Sequence, residues 1–125
     1  MNSTARSTYM GASVATASPA RLLVMLCDRL VLDVRRALDA QLEGRPAEAN
    51  QQLLHAQEIV LELRSSLRED AFDGATQLGR IYDFLLSELV RANMRKDGED
   101  TRRCLQLTEQ LCETWREAAL NAAVS

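Results

Sequence analysis

This sequence has no long hydrophobic run, no basic excess, no paired cysteine motif and no alternating stretch, and each absence excludes something. The longest strictly apolar run, Leu22 to Cys27, falls far short of the roughly 20 residues a membrane-spanning helix requires. The first fifteen residues carry one Arg among mostly small polar side chains, with no apolar block like that of a secretory leader. The expectation is a cytoplasmic protein with no membrane insertion. Fifteen Lys and Arg against eighteen Asp and Glu leave a net charge of −3, and no basic face stands out to meet nucleic-acid phosphates. Three cysteines (Cys27, Cys104 and Cys112) are an odd number without a CxxC pair, and are expected as free thiols of a reducing compartment. No useful length alternates with the period of a strand.

Catalytic groupings are missing as well. The single histidine, His55, stands three residues before Glu58, and both are expected on the polar side of one helix as solvated neighbours. A di-iron bundle needs inward carboxylates on four helices and two Glu-x-x-His pairs, which this chain lacks. Cys104 and Cys112 are too far apart along one helix to chelate zinc by themselves, so Cys27 would have to join them through the tertiary fold. There is no phosphate-cradling Gly loop and no GxSxG elbow. The expectation is no enzyme, no metal and no cofactor.

What is present is helical. A chain of 125 residues makes one domain with a hydrophobic core. Residues 1–17, rich in Ser, Thr, Ala and Gly, form an irregular arm, and 18–125 form the folded domain. Ser18 suits a helix cap and Pro19 the first helical position, where a missing N–H leaves nothing unpaired. The pattern predicts helices over Pro19–Glu43 and Pro46–Arg68, a break at the acidic stretch 69–74 in which Asp70 could begin the next helix early, a third helix continuing to Lys96, and a fourth over Glu99–Leu120. Four similar helices with short connections give an all-α, antiparallel up-down four-helix bundle with an irregular N-terminal arm.

Placing residues 100° apart around each helix sorts their faces. The main stripes are Leu23, Leu26, Leu30, Val34, Ala37 and Leu38; then Ala49, Leu53, Ala56, Val60, Leu63 and Leu67; then Leu78, Ile81, Tyr82, Leu85, Leu89 and Ala92. In the fourth helix Cys104, Thr108, Leu111, Cys112, Trp115 and Ala118 share a face, and the Trp115 N–H would seek a partner near the bundle end. Off these stripes lie Met25 and Leu32, Leu54 and Leu61, and Leu86 with Val90 and Met94. Two readings of the surplus stand. One is a wide core face with scattered surface leucines. The other is a docking surface for an amphipathic partner helix, with Met25, Leu32, Leu54, Leu61, Leu86 and Val90 as its residues. Tyr9, Met10 and Val14 are the larger apolar residues of the arm, which is either a frayed end or a cover for the groove.

The stretch Thr16-Ala17-Ser18-Pro19, followed by Leu22-Leu23-Val24-Met25-Leu26-Cys27-Asp28, resembles the start of the flagellin export chaperones, the FliS family. Ile81-Tyr82-Asp83-Phe84-Leu85, then Leu89-Val90-Arg91-Ala92-Asn93 and Lys96-Asp97, resembles a later part of it, and Trp115 sits where the family tends to carry a Trp. The resemblance covers nearly the whole chain in order. It implies a cytosolic, enzymatically inert four-helix bundle. Such a bundle binds the disordered C-terminal segment of flagellin, prevents premature polymerisation and delivers the subunit to the flagellar export gate. It also implies an N-terminal segment able to lie against the bundle, and without client a homodimer through the open groove is an expectation. Two residues depart from the pattern: Cys27 replaces a common aromatic and Arg29 a common glycine. The alternative is a self-associating helical adaptor or regulatory protein with no flagellar client.

Overall fold

Proline at the first turn of a helix forfeits no hydrogen bond and arrives with its φ already helical, so two helices begin at the two prolines of this chain. A computed structural model describes residues 19–70 and 73–124, with side chains to residue 118. Helix α1 spans Pro19–Leu42, α2 Pro46–Ser66, α3 Ala75–Arg95 and α4 Gly98–Val124. The described residues contain no strand. Ser18 and the arm with Tyr9, Met10 and Val14 lie outside them.

Local chemistry sets the helix ends. Gly44 takes φ 72°, the left-handed conformation glycine enters without steric penalty, and the Gly44 and Arg45 N–H groups bond the Gln41 and Ala40 carbonyls to close α1. Helix α2 stops at Ser66, two residues before the expected Arg68. The Ser65 and Ser66 hydroxyls bond back to the Glu62 carbonyl, and Leu67 is already extended at ψ 129°. Helix α3 starts at Ala75, directly after the acidic stretch and not early at Asp70, because Gly74 at φ 91° turns the chain immediately before it. It ends on Lys96, a left-handed non-glycine residue at φ 54° whose N–H bonds the Ala92 carbonyl. The Asp97 carboxylate then accepts the Glu99 N–H and opens α4, which continues to Val124, beyond the expected Leu120.

The helices form a ring, α1 against α2 and α4, and α3 between α2 and α4. Cross-helix pairs give the directions. Asp28, early in α1, meets Arg116, late in α4, at 2.5 Å, and Arg35 meets Glu109 at 2.7 Å. Arg64, late in α2, reaches Asp83, early in α3, at 3.0 Å. Neighbours are therefore antiparallel, the up-down arrangement that short connections favour. The core is built from Leu30 and Val34 of α1, Leu53, Ile59 and Val60 of α2, and Leu85 and Leu89 of α3, all fully buried. Each contributes about 1.5–3 kcal/mol by leaving water.

Two members of the expected stripes are not in the core. Ile81 is 40% exposed and Ala118 is exposed. Each lies at the edge of its stripe, where the neighbouring helix decides whether the side chain is covered. Conversely Ile59, outside the expected stripe, is fully buried and widens the covered face of α2.

Candidate functional site

Large apolar side chains normally retreat from water, so those left outside a packed bundle are the first candidates for partner contact. Leu54 and Leu61 of α2 are 47% and 51% exposed, seven residues apart on one line of the helix. Arg64, three residues beyond Leu61, crosses to Asp83, so this line leans toward α3. On α3, Asp83 shares its line with exposed Val90 and with Met94, which is 76% exposed. Leu86 stands one turn before Val90, half-buried and packed on the core. The α2–α3 seam is thus flanked by Leu54, Leu61, Leu86, Val90 and Met94. Met25 and Leu32 are half-buried on α1, away from that seam. The six side chains read as docking residues therefore divide between two faces of the bundle.

The opposite flank of α3, toward α4, carries exposed Ile81 and Phe84. Phe84 falls outside every stripe that periodicity draws, so periodicity alone does not select it. Its signal was there to read: a Phe at a position facing away from the core line.

One end of the bundle is closed by a polar contact between aromatic rings. The Trp115 N–H donates to the Tyr82 hydroxyl at 3.1 Å, satisfying the indole where α4 passes the start of α3. Burial raises the Tyr82 phenol well above its ordinary value, with the Trp115 bond opposing that shift. A cavity of about 210 Å³ opens beside them, lined by Leu23, Leu63, Ser66, Leu67, Tyr82 and Trp115. Gly79 lies next to this end, where an added Cβ would come within 3.2 Å of the Arg64 guanidinium, so the missing side chain lets Arg64 cross α3.

The thiols are free and buried. Tertiary packing brings Cys27 against Cys112, whose Sγ lies 3.3 Å from the Cys27 carbonyl oxygen. Contact with the Cys27 thiol, then burial, raises Cys112 far above its ordinary range, and burial pushes Cys104 up to about 12. Protonated, enclosed thiols are poor nucleophiles and poor ligands. Among the described residues no group of three or more His, Cys, Asp or Glu is placed to hold a metal.

His55 is not the solvated neighbour of Glu58 that its position suggested. It is half-buried, and its Nδ1 bonds the carboxylate of Asp33, which is 0% exposed in the seam between α1 and α2. A histidine opposite a fully buried aspartate on another helix cannot be foreseen from either helix alone.

Fold and surface together define a class: a small antiparallel four-helix bundle with apolar rows left open on its outside. The family model for the flagellar protein FliS matches residues 1–122. The chain belongs to the FliS family. The flagellar secretion chaperone FliS of Bacillus subtilis is 27% identical over 110 residues, covering 88% of this chain and 82% of that protein. The corresponding protein of Vibrio cholerae is 25% identical over 103 residues, covering 82% and 76%. A crystal structure of a flagellar chaperone from bacteria superposes with a TM-score of 0.74 over 91% of this chain and 94% of that one; at 18% identity it speaks for the fold. Among the described residues no helix is long and apolar enough to cross a membrane.

Proposed function

We propose that this chain is a cytoplasmic export chaperone that binds the disordered C-terminal segment of flagellin in apolar grooves on its surface. Binding keeps the subunit from polymerising early and delivers it to the flagellar export gate. Besides family membership, the observation that carries the reading is the row of open apolar side chains flanking the α2–α3 seam. Such a row takes anchors of an amphipathic segment at i, i+3, i+4 and i+7. Covering the exposed parts of these five side chains is worth on the order of 5 kcal/mol gross, of which ordering the client offsets a large part. In this reading residues 18–125 are the chaperone domain, and Tyr9, Met10 and Val14 on the arm of residues 1–17 cover the groove when no client is bound.

The test is binding to full-length flagellin, followed by calorimetry at several temperatures with its C-terminal peptide. A one-to-one complex and a large negative heat-capacity change are expected, because folding a client onto the groove buries apolar surface. A heat-capacity change near zero, or equal binding to flagellin lacking that segment, overturns the mechanism. A homodimer indifferent to flagellin would identify a self-associating adaptor.

A further inference from the structure

A carboxylate removed from water is held by its partners or takes up a proton. Asp33 is fully buried on α1, and its two oxygens are divided between two helices. Arg29, one turn earlier on α1, places its Nε 3.0 Å from Oδ1 as an ion pair, while the His55 ring of α2 bonds Oδ2. The groups that can face this carboxylate are few. On α1 the same side carries Arg29 and Arg36. On α2 the facing side carries Gln52 and His55, with Glu58 and Glu62 further along it. The charged residues of α4 engage α1 elsewhere, at Asp28 and Arg35.

We propose that Arg29, Asp33 and His55 form a pH-sensitive latch between α1 and α2, closed while Asp33 and His55 share a proton and loosened when the pair gives it up. With that proton the pair carries no net charge. Without it, a buried carboxylate is left with Arg29 as its one opposite charge in the cluster. Burial, which outweighs His55 and Arg29, raises the affinity of Asp33 for a proton above that of an ordinary carboxylate. The sign follows from this. Asp33 keeps its proton to higher pH in the folded chain than in the unfolded one, so this contribution is full at low pH and is lost as pH rises through the raised value. Histidine is the only side chain whose ordinary titration falls between about pH 5 and 8, and His55 is the single histidine of the chain.

The experiment measures urea unfolding of the full chain from about pH 4.5 to pH 8, comparing the natural sequence with Asp33→Asn and His55→Gln. The natural protein is expected to lose stability with rising pH relative to both variants. The limit for one proton is about tenfold in the unfolding equilibrium constant per pH unit. Should Asp33→Asn fail to fold, His55→Gln, at a half-buried position, carries the comparison by itself. Parallel stability curves for the natural protein and His55→Gln overturn the proposal.

Discussion

Replacing Leu61 by glutamate and, separately, Leu85 by glutamate puts the same charge on neighbouring helices in opposite surroundings. Leu85 is fully buried in the core and Leu61 is 51% exposed. A carboxylate at Leu85 would have to ionise without a partner or stay protonated in a site shaped for an apolar side chain. Either choice costs several kcal/mol, a large share of the roughly 5–15 kcal/mol that holds a domain of this size together. At Leu61 the charge stays in water, and the change in stability is expected within about 1 kcal/mol. Client binding should respond in reverse. The exposed half of Leu61 can still gain about 0.8–1.5 kcal/mol when a partner covers it, which corresponds to about four- to thirteenfold in Kd. Desolvating the new carboxylate adds to that loss. The assays are urea unfolding followed by the fluorescence of the single Trp115, and calorimetric titration with a flagellin C-terminal peptide. The expected pattern is a folded Leu61→Glu with weakened binding and an unfolded or severely destabilised Leu85→Glu. If Leu61→Glu unfolds as readily as Leu85→Glu, or binds the peptide as tightly as the natural protein, the assignment of faces is wrong.

Two further outcomes are expected. Deleting residues 2–15, or replacing Tyr9 by alanine, should tighten peptide binding and increase self-association. A cover that closes the groove by about 1.4 kcal/mol lowers apparent affinity about tenfold, and unchanged affinity with an unchanged monomer fraction in calorimetry and sedimentation refutes it. The three cysteines should resist an aromatic disulfide reagent in the native protein and all react in denaturant. With Cys104 pushed up to about 12, about one thiol in ten thousand is ionised there at pH 8, and rapid native labelling would show that the thiols are not enclosed as described.

Much of this bundle is legible along the chain because its causes are local. Pro19 and Pro46 start helices, Gly44 ends one, and a 3.6-residue apolar period marks which face of each helix turns inward. Leu30, Leu53 and Leu85 are buried as that period requires, and the exposure of Leu54 and Leu61 follows from lying off it. Periodicity gives the direction of a side chain about its own helix axis, but it does not say where the neighbouring helices stand. Periodicity therefore puts Ile81 on the inner stripe, where it is 40% exposed, and leaves Ile59 off it, where it is fully buried. The end of α2 moved because the Ser65 and Ser66 hydroxyls compete for a backbone carbonyl, a contest between local options that a pattern of apolar residues does not register. The pairings across helices were beyond reach for a stronger reason. Asp33 is tolerated at full burial because His55, on another helix, meets it, and Cys27 touches Cys112 because α1 and α4 run antiparallel. The energy of a buried polar group depends on what stands opposite it, and in this chain only the packing of helix on helix decides that.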